Sequence, residues 1–92
     1  MQFIRCTFGY QPGGAVVLLD LTGAAANVFL VDDSNLARFQ RGDQYTYYGG
    51  QHTTGSPARA RLIIPAAGVW NAVVVPLNGT VRVSNPRVLA AA

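Results

Sequence analysis

The chain has 92 residues, half of them apolar and 12% charged. This excludes a disordered segment, and the length holds one domain, since two halves would each be too small to fold without staples. All seven basic residues are Arg and all four acidic ones Asp, for a formal charge of +3; that is too sparse for a dedicated DNA-binding stripe, and the absence of Lys and Glu removes P-loop lysines, Lys Schiff bases and Glu general bases.

Period-two patterning runs through most of the chain. In residues 2–10, Ile4, Cys6 and Phe8 alternate with Phe3, Arg5 and Thr7. Gln11-Pro12-Gly13-Gly14 then predicts a type II turn with Pro12 and Gly13 at its centre. Residues 15–22 form a second strand, with Val17, Leu19 and Leu21 on one face and Val16, Leu18, Asp20 and Thr22 on the wetter one. A third strand covers 26–32. Asp32-Asp33-Ser34-Asn35 is rich in helix N-cap residues, Leu36 and Phe39 share a helical face, and Gly42 suits the exit; the one predicted helix spans about 33–41.

Gln44-Tyr45-Thr46-Tyr47-Tyr48 reads as a tyrosine-rich strand and residues 49–57 as a loop. Residues 58–64 set Ala58, Ala60, Leu62 and Ile64 against Arg59, Arg61 and Ile63. Residues 69–77 are mostly apolar on both faces, as in a central or doubly covered strand, and Pro76 belongs at an edge or bulge. Asn78-Gly79 predicts a two-residue type I′ hairpin into residues 80–85, with Asn85-Pro86 bending the strand before Arg87-Val88-Leu89.

Seven short strands and one brief helix predict an all-β, antiparallel β-sandwich over residues 1–89, with a frayed tail at 90–92. A small, partly open β-barrel is the alternative. No apolar run exceeds Gly13–Leu19, far short of a membrane span, and the start has no signal-peptide pattern. The single cysteine, Cys6, permits no internal disulfide, so a cytoplasmic location is expected.

Met1-Gln2-Phe3, Gly23-Ala24-Ala25-Ala26-Asn27-Val28, Asp33-Ser34-Asn35, Arg41-Gly42, Tyr47-Tyr48-Gly49-Gly50, Ser56-Pro57 and Gly68-Val69-Trp70 occur in this order. Together they resemble a small bacterial family of domains of unknown function, some standing alone and some joined to TIR domains. The resemblance covers about residues 1–89. It implies a compact all-β domain with no established activity, and its TIR-joined members imply a recognition or regulatory module.

No catalytic signature emerges. His52, the only histidine, reads as an exposed loop residue rather than a triad member with Ser34 or Ser56. One His and one Cys cannot make a four-coordinate N/S zinc site, and the 32–35 oxygens read as helix caps rather than Ca²⁺ ligands; no cofactor or metal is expected. Trp70 reads as core, and Arg59 and Arg61 as one solvated strand face whose rival reading is an anion-facing patch. Tyr45 and Tyr47 share a face and Tyr48 takes the other, so at least one ring should reach the surface beside Gly49-Gly50. The candidate binding residues are therefore Arg41, Tyr47, Tyr48, Gly49, Gly50 and His52. The leading reading is a non-enzymatic binding or interaction module with a protein or small-molecule partner and no membrane contact. A carbohydrate or nucleotide binder follows, then a single-stranded nucleic-acid binder on an OB-like barrel, and an enzyme last.

Overall fold

The computed structural model describes residues 2–54 and 56–90. In order, the elements are β1 (Ile4–Gln11), β2 (Val16–Gly23), β3 (Ala26–Asp32), α1 (Asp33–Arg41), β4 (Tyr48–Thr53), β5 (Ala58–Ile63), β6 (Gly68–Pro76) and β7 (Val81–Leu89). They form a sandwich of two antiparallel sheets, β1-β6-β3-β4 and β5-β2-β7. The expected sandwich is thus present and the alternative barrel is not. The fraying expected at Ala91 and Ala92 lies outside the described residues, as does Gly55 of the predicted loop.

Alternation decides what lies between the sheets. Val17, Leu19 and Leu21 of β2 meet Val28 and Leu30 of β3, Leu62 of β5, and Trp70 and Val74 of β6 in one core. The opposite face of β3 and β6 is also apolar, and α1 explains why: Leu36 and Phe39 cover Phe29, Val31 and Val73 in a second, smaller core. A strand covered on both faces loses the polar half of its pattern.

The helix matches its predicted span. The Asp32 carboxylate accepts the Asn35 backbone N–H at 2.8 Å, and Gly42 closes the helix at φ 80°. Arg38 and Arg41 lie in its last turn, where cations suit the helix dipole. Asn71 of β6, 1% exposed, donates through Nδ2 to Asp33 Oδ1 at 2.9 Å, tying the helix start to the sheet beneath.

Four local expectations need correction. The turn after β1 lies one residue further on: the Ala15 N–H reaches the Pro12 carbonyl and the left-handed residue is Gly14, not Gly13. Asn78-Gly79 is no hairpin, because β6 and β7 belong to different sheets and Asn78 is not among the described residues with positive φ. The turn carries the chain across the sandwich instead, from Pro76, which pairs with Ala26 beyond the end of the β1 ladder. Residues 44–47 form no strand, because α1 claims them: the Asn35 side chain, not a neighbouring strand, takes the Thr46 N–H. Finally, 49–53 is strand rather than loop, because the free edge of β3 needs partners for its backbone groups and β4 supplies them.

Candidate functional site

The tyrosine segment lies where α1 ends and β4 begins. Its position depends on one relay. Asp32 Oδ1 accepts from Asn35 Nδ2 at 3.0 Å, and Asn35 Oδ1 accepts the Thr46 N–H at 2.9 Å. Thr46 separates Tyr45 from Tyr47, so the relay places both rings on the outer face of the four-stranded sheet.

There they extend the second core outward. Phe39 meets Phe3 and Tyr45 edge-on, each at 5.0 Å between centroids, and Phe29 meets Tyr45 at 5.8 Å and Tyr47 at 5.4 Å. The series runs from buried Phe39 to Tyr47, which is 55% exposed. Edge and offset contacts of this kind hold rings in fixed orientations.

Gly49 and Gly50 have separate roles. The β3–β4 register slips between Val28 and Leu30, and Gly49 is the extra residue, at φ 66°. This bulge turns Tyr48 inward, where its ring meets Trp70 edge-on at 5.4 Å. Gly50 lies beneath Tyr47: a Cβ there would come 3.2 Å from Tyr47 Cε2. The space that the missing Gly50 side chain leaves is therefore filled by the domain's own tyrosine.

Beside Tyr47 a groove of about 390 Å³ runs along the β3–β4 pair, lined by Asn27, Phe29, Tyr45, Tyr47, Gly50 and His52 among others. His52 is not a loop residue. It stands on β4 opposite Asn27, and its Nδ1 is 3.0 Å from Asn27 Oδ1. A second, wider recess of about 600 Å³ shares Tyr45 and Tyr47 and is bounded by Arg38. Tyr47 thus forms a wall between two concavities.

Of the six candidate residues, Tyr47, Gly50 and His52 converge on the groove. Tyr48 packs against Trp70 on the opposite face of β4 while staying 39% exposed, and Gly49 shapes the strand. Arg41 lies apart: its Nε donates to Asp43 at 3.0 Å, and the recess it borders is formed with Phe3 and Phe39. The cation facing the tyrosines is Arg38, one helical turn earlier, and no ion pair engages it among the described residues. Asn27 and Phe29 were absent from the candidate set, although alternation in Ala26-Asn27-Val28-Phe29 places both on one face.

The serines and the histidine weighed as a triad have separate partners. The Ser34 hydroxyl donates to Asp32, the Ser56 hydroxyl accepts the Gly23 N–H, and His52 is held by Asn27. Of the 32–35 oxygens, Asp32 Oδ1 caps the helix, Asp33 Oδ1 accepts from Asn71 and Asn35 Oδ1 accepts the Thr46 N–H; the described residues hold no group of three His, Cys, Asp or Glu side chains placed to share a metal. Burial pushes the Cys6 thiol up, away from thiolate reactivity. Among the described residues no helix is long and apolar enough to cross a membrane.

A family model described as a domain of unknown function (DUF1883) matches residues 2–90, and the chain belongs to that family. No curated protein and no solved structure matches it.

Proposed function

We propose that this DUF1883 domain is a non-enzymatic binding module of the bacterial cytoplasm, and that it meets its partner on the outer face of the four-stranded sheet around Tyr47. The observation that carries this reading is a tyrosine ring more than half exposed yet braced by Phe29, Tyr45 and Gly50. Ordering a rigid ring on binding costs little entropy, and its face supplies a large contact area. Arg38 brings a guanidinium fork to the same wall, and His52 and Asn27 bring polar groups. The resemblance to domains joined to TIR modules supports a recognition or regulatory role for such a surface.

One observation favours a second reading, a small-molecule site. The groove volume falls within the usual range for ligand pockets, and its mixture of aromatic wall and a few polar groups suits a sugar or nucleotide ring. The nucleic-acid reading places its ligand on an OB-like barrel, whereas the fold is a sandwich of two sheets.

The test compares Tyr47→Ala with the parent. Melting temperature is followed across a panel of oligosaccharides and nucleotides, and affinity is measured for any protein captured by the parent and then purified. Tyr47→Ala should stay folded, with a stability change of about 1 kcal/mol or less. It should lose about tenfold or more in affinity. Unchanged affinity in the folded variant would remove Tyr47 from the site.

A further inference from the structure

The three-stranded sheet has an outer face that no element covers among the described residues. Ladder partners share a face, so its rows follow from the register: Ile63–Val16–Leu89, then Arg61–Leu18–Arg87, then Arg59–Asp20–Ser84, then Thr22–Arg82. Four arginines against one aspartate give this face a formal charge of +3, the whole charge of the chain. The remaining three arginines and three aspartates cancel. A weakly basic composition is thus a strongly asymmetric molecule.

Two further features constrain what fits. Ile63 and Leu89, at the end row, are 51% and 50% exposed, so an aliphatic strip borders the cations. Asp20, in the middle, holds Arg59 Nε at 2.8 Å and Arg87 Nη1 at 3.2 Å, drawing both guanidinium groups toward the centre of the face. Arg61 and Arg82 have no ion pair among the described residues.

We propose that this face docks an acidic segment of a protein partner, in extended form, whose facing side chains are successive carboxylates followed by an aliphatic residue. Rows in the sheet repeat about every 7 Å, the spacing of side chains on one face of an extended chain. Arginine forks match carboxylates, and the aliphatic strip needs an apolar counterpart that a phosphate polymer lacks. The face carries no aromatic ring on which a base could stack, and the central Asp20 opposes an unbroken track of negative charge. This surface lies across the sandwich from Tyr47 and does not depend on that reading.

The probe is a labelled 12-residue peptide with Glu, Glu and Leu at successive alternate positions and Ser between them, followed by fluorescence anisotropy. Saturable binding is expected at low salt, weakening steeply at 0.5 M salt. Replacing Glu by Gln in the peptide, or Arg61→Glu with Arg82→Glu in the protein, should each weaken it about tenfold or more. Tyr47→Ala should leave it unchanged. Both arginines are exposed and unpaired, so the double variant should fold; Arg61→Gln with Arg82→Gln provides a milder pair, and circular dichroism checks each. No saturable binding, or equal binding by the folded double variants, overturns the proposal. So does tighter binding of oligo(dT) or of phosphatidylserine vesicles through the same arginines, since either would assign the face to a different partner.

Discussion

Replacing Asn35 by Ala tests the relay that places the tyrosine segment. The substitution keeps the helix cap, because the residue 35 N–H still reaches Asp32. It removes two side-chain bonds: Nδ2 to the Asp32 carboxylate and Oδ1 from the Thr46 N–H. A bond to a charged group contributes about 1.5–3 kcal/mol and a neutral one about 0.5–1.5 kcal/mol. Asp32 is only half-buried and keeps the Ser34 hydroxyl, so the lower end applies, about 2–3 kcal/mol in total. For a domain of this size each kcal/mol lowers the melting temperature by about 4–8 °C, which predicts a fall of roughly 10–20 °C. Urea unfolding gives the free energy, and amide exchange should show Thr46 losing protection while the β2 and β6 amides keep theirs relative to the global stability. Asn35→Asp is a sharper companion: it can still accept from Thr46, but it places a carboxylate against Asp32. Its deficit should be largest at neutral pH and should shrink as pH falls and the pair takes up a proton. If Asn35→Ala melts within about 2 °C of the parent and Thr46 exchanges no faster, the relay does not hold the segment and the account of Tyr47 presentation fails.

Gly23→Ala should be among the most damaging single-methyl additions, at about 2 kcal/mol or more by thermal unfolding, because Gly23 has φ 105° and the new Cβ would collide with the Thr80 carbonyl, which already accepts the Ala24 N–H. Near-parental stability would show that the β2–β3 turn relaxes freely. Gly49→Ala should cost about 1–2 kcal/mol for its left-handed backbone alone, since the added methyl would meet only Leu62 at an ordinary 3.5 Å; a neutral result would mean the bulge has moved. The Arg59 guanidinium hydrogen-bonded to Asp20, with Arg87 beside it, holds that carboxyl below the usual carboxylate range. Its stabilisation is therefore present above about pH 4 and lost as pH falls through the lowered folded-state value. The stability gap between the parent and Asp20→Asn should close over that acid window, and a gap that persists unchanged at pH 2 would refute the linkage.

The sequence by itself determined the elements whose pattern is local. Strict alternation in β2 and β5 marked the faces of Val17, Leu19, Ala60 and Leu62, because side chains in a strand must point to opposite sides. Asp32, Leu36, Phe39 and Gly42 delimited the helix, because capping and the spacing of one apolar face act within a few residues. Tyr45 and Tyr47 part from Tyr48 as alternation predicts, but the Asn35 relay and the Gly49 bulge place them, not a strand over 44–48. Tertiary structure decided the rest. Whether Asn78-Gly79 joins paired strands depends on which sheet receives β7, and nothing in six residues encodes that. The Gly49–Thr53 stretch has poor strand propensity, yet it pairs because β3 presents unsatisfied backbone groups along its edge. Arg41 and Arg38 are equivalent by composition, but the turn at Gly42 brings Asp43 to Arg41 and leaves Arg38 facing the tyrosines. The concentration of charge on one sheet face was equally out of reach, because Asp20, Arg59, Arg82 and Arg87 come from three strands far apart in sequence. Only the register of the folded ladder makes them neighbours.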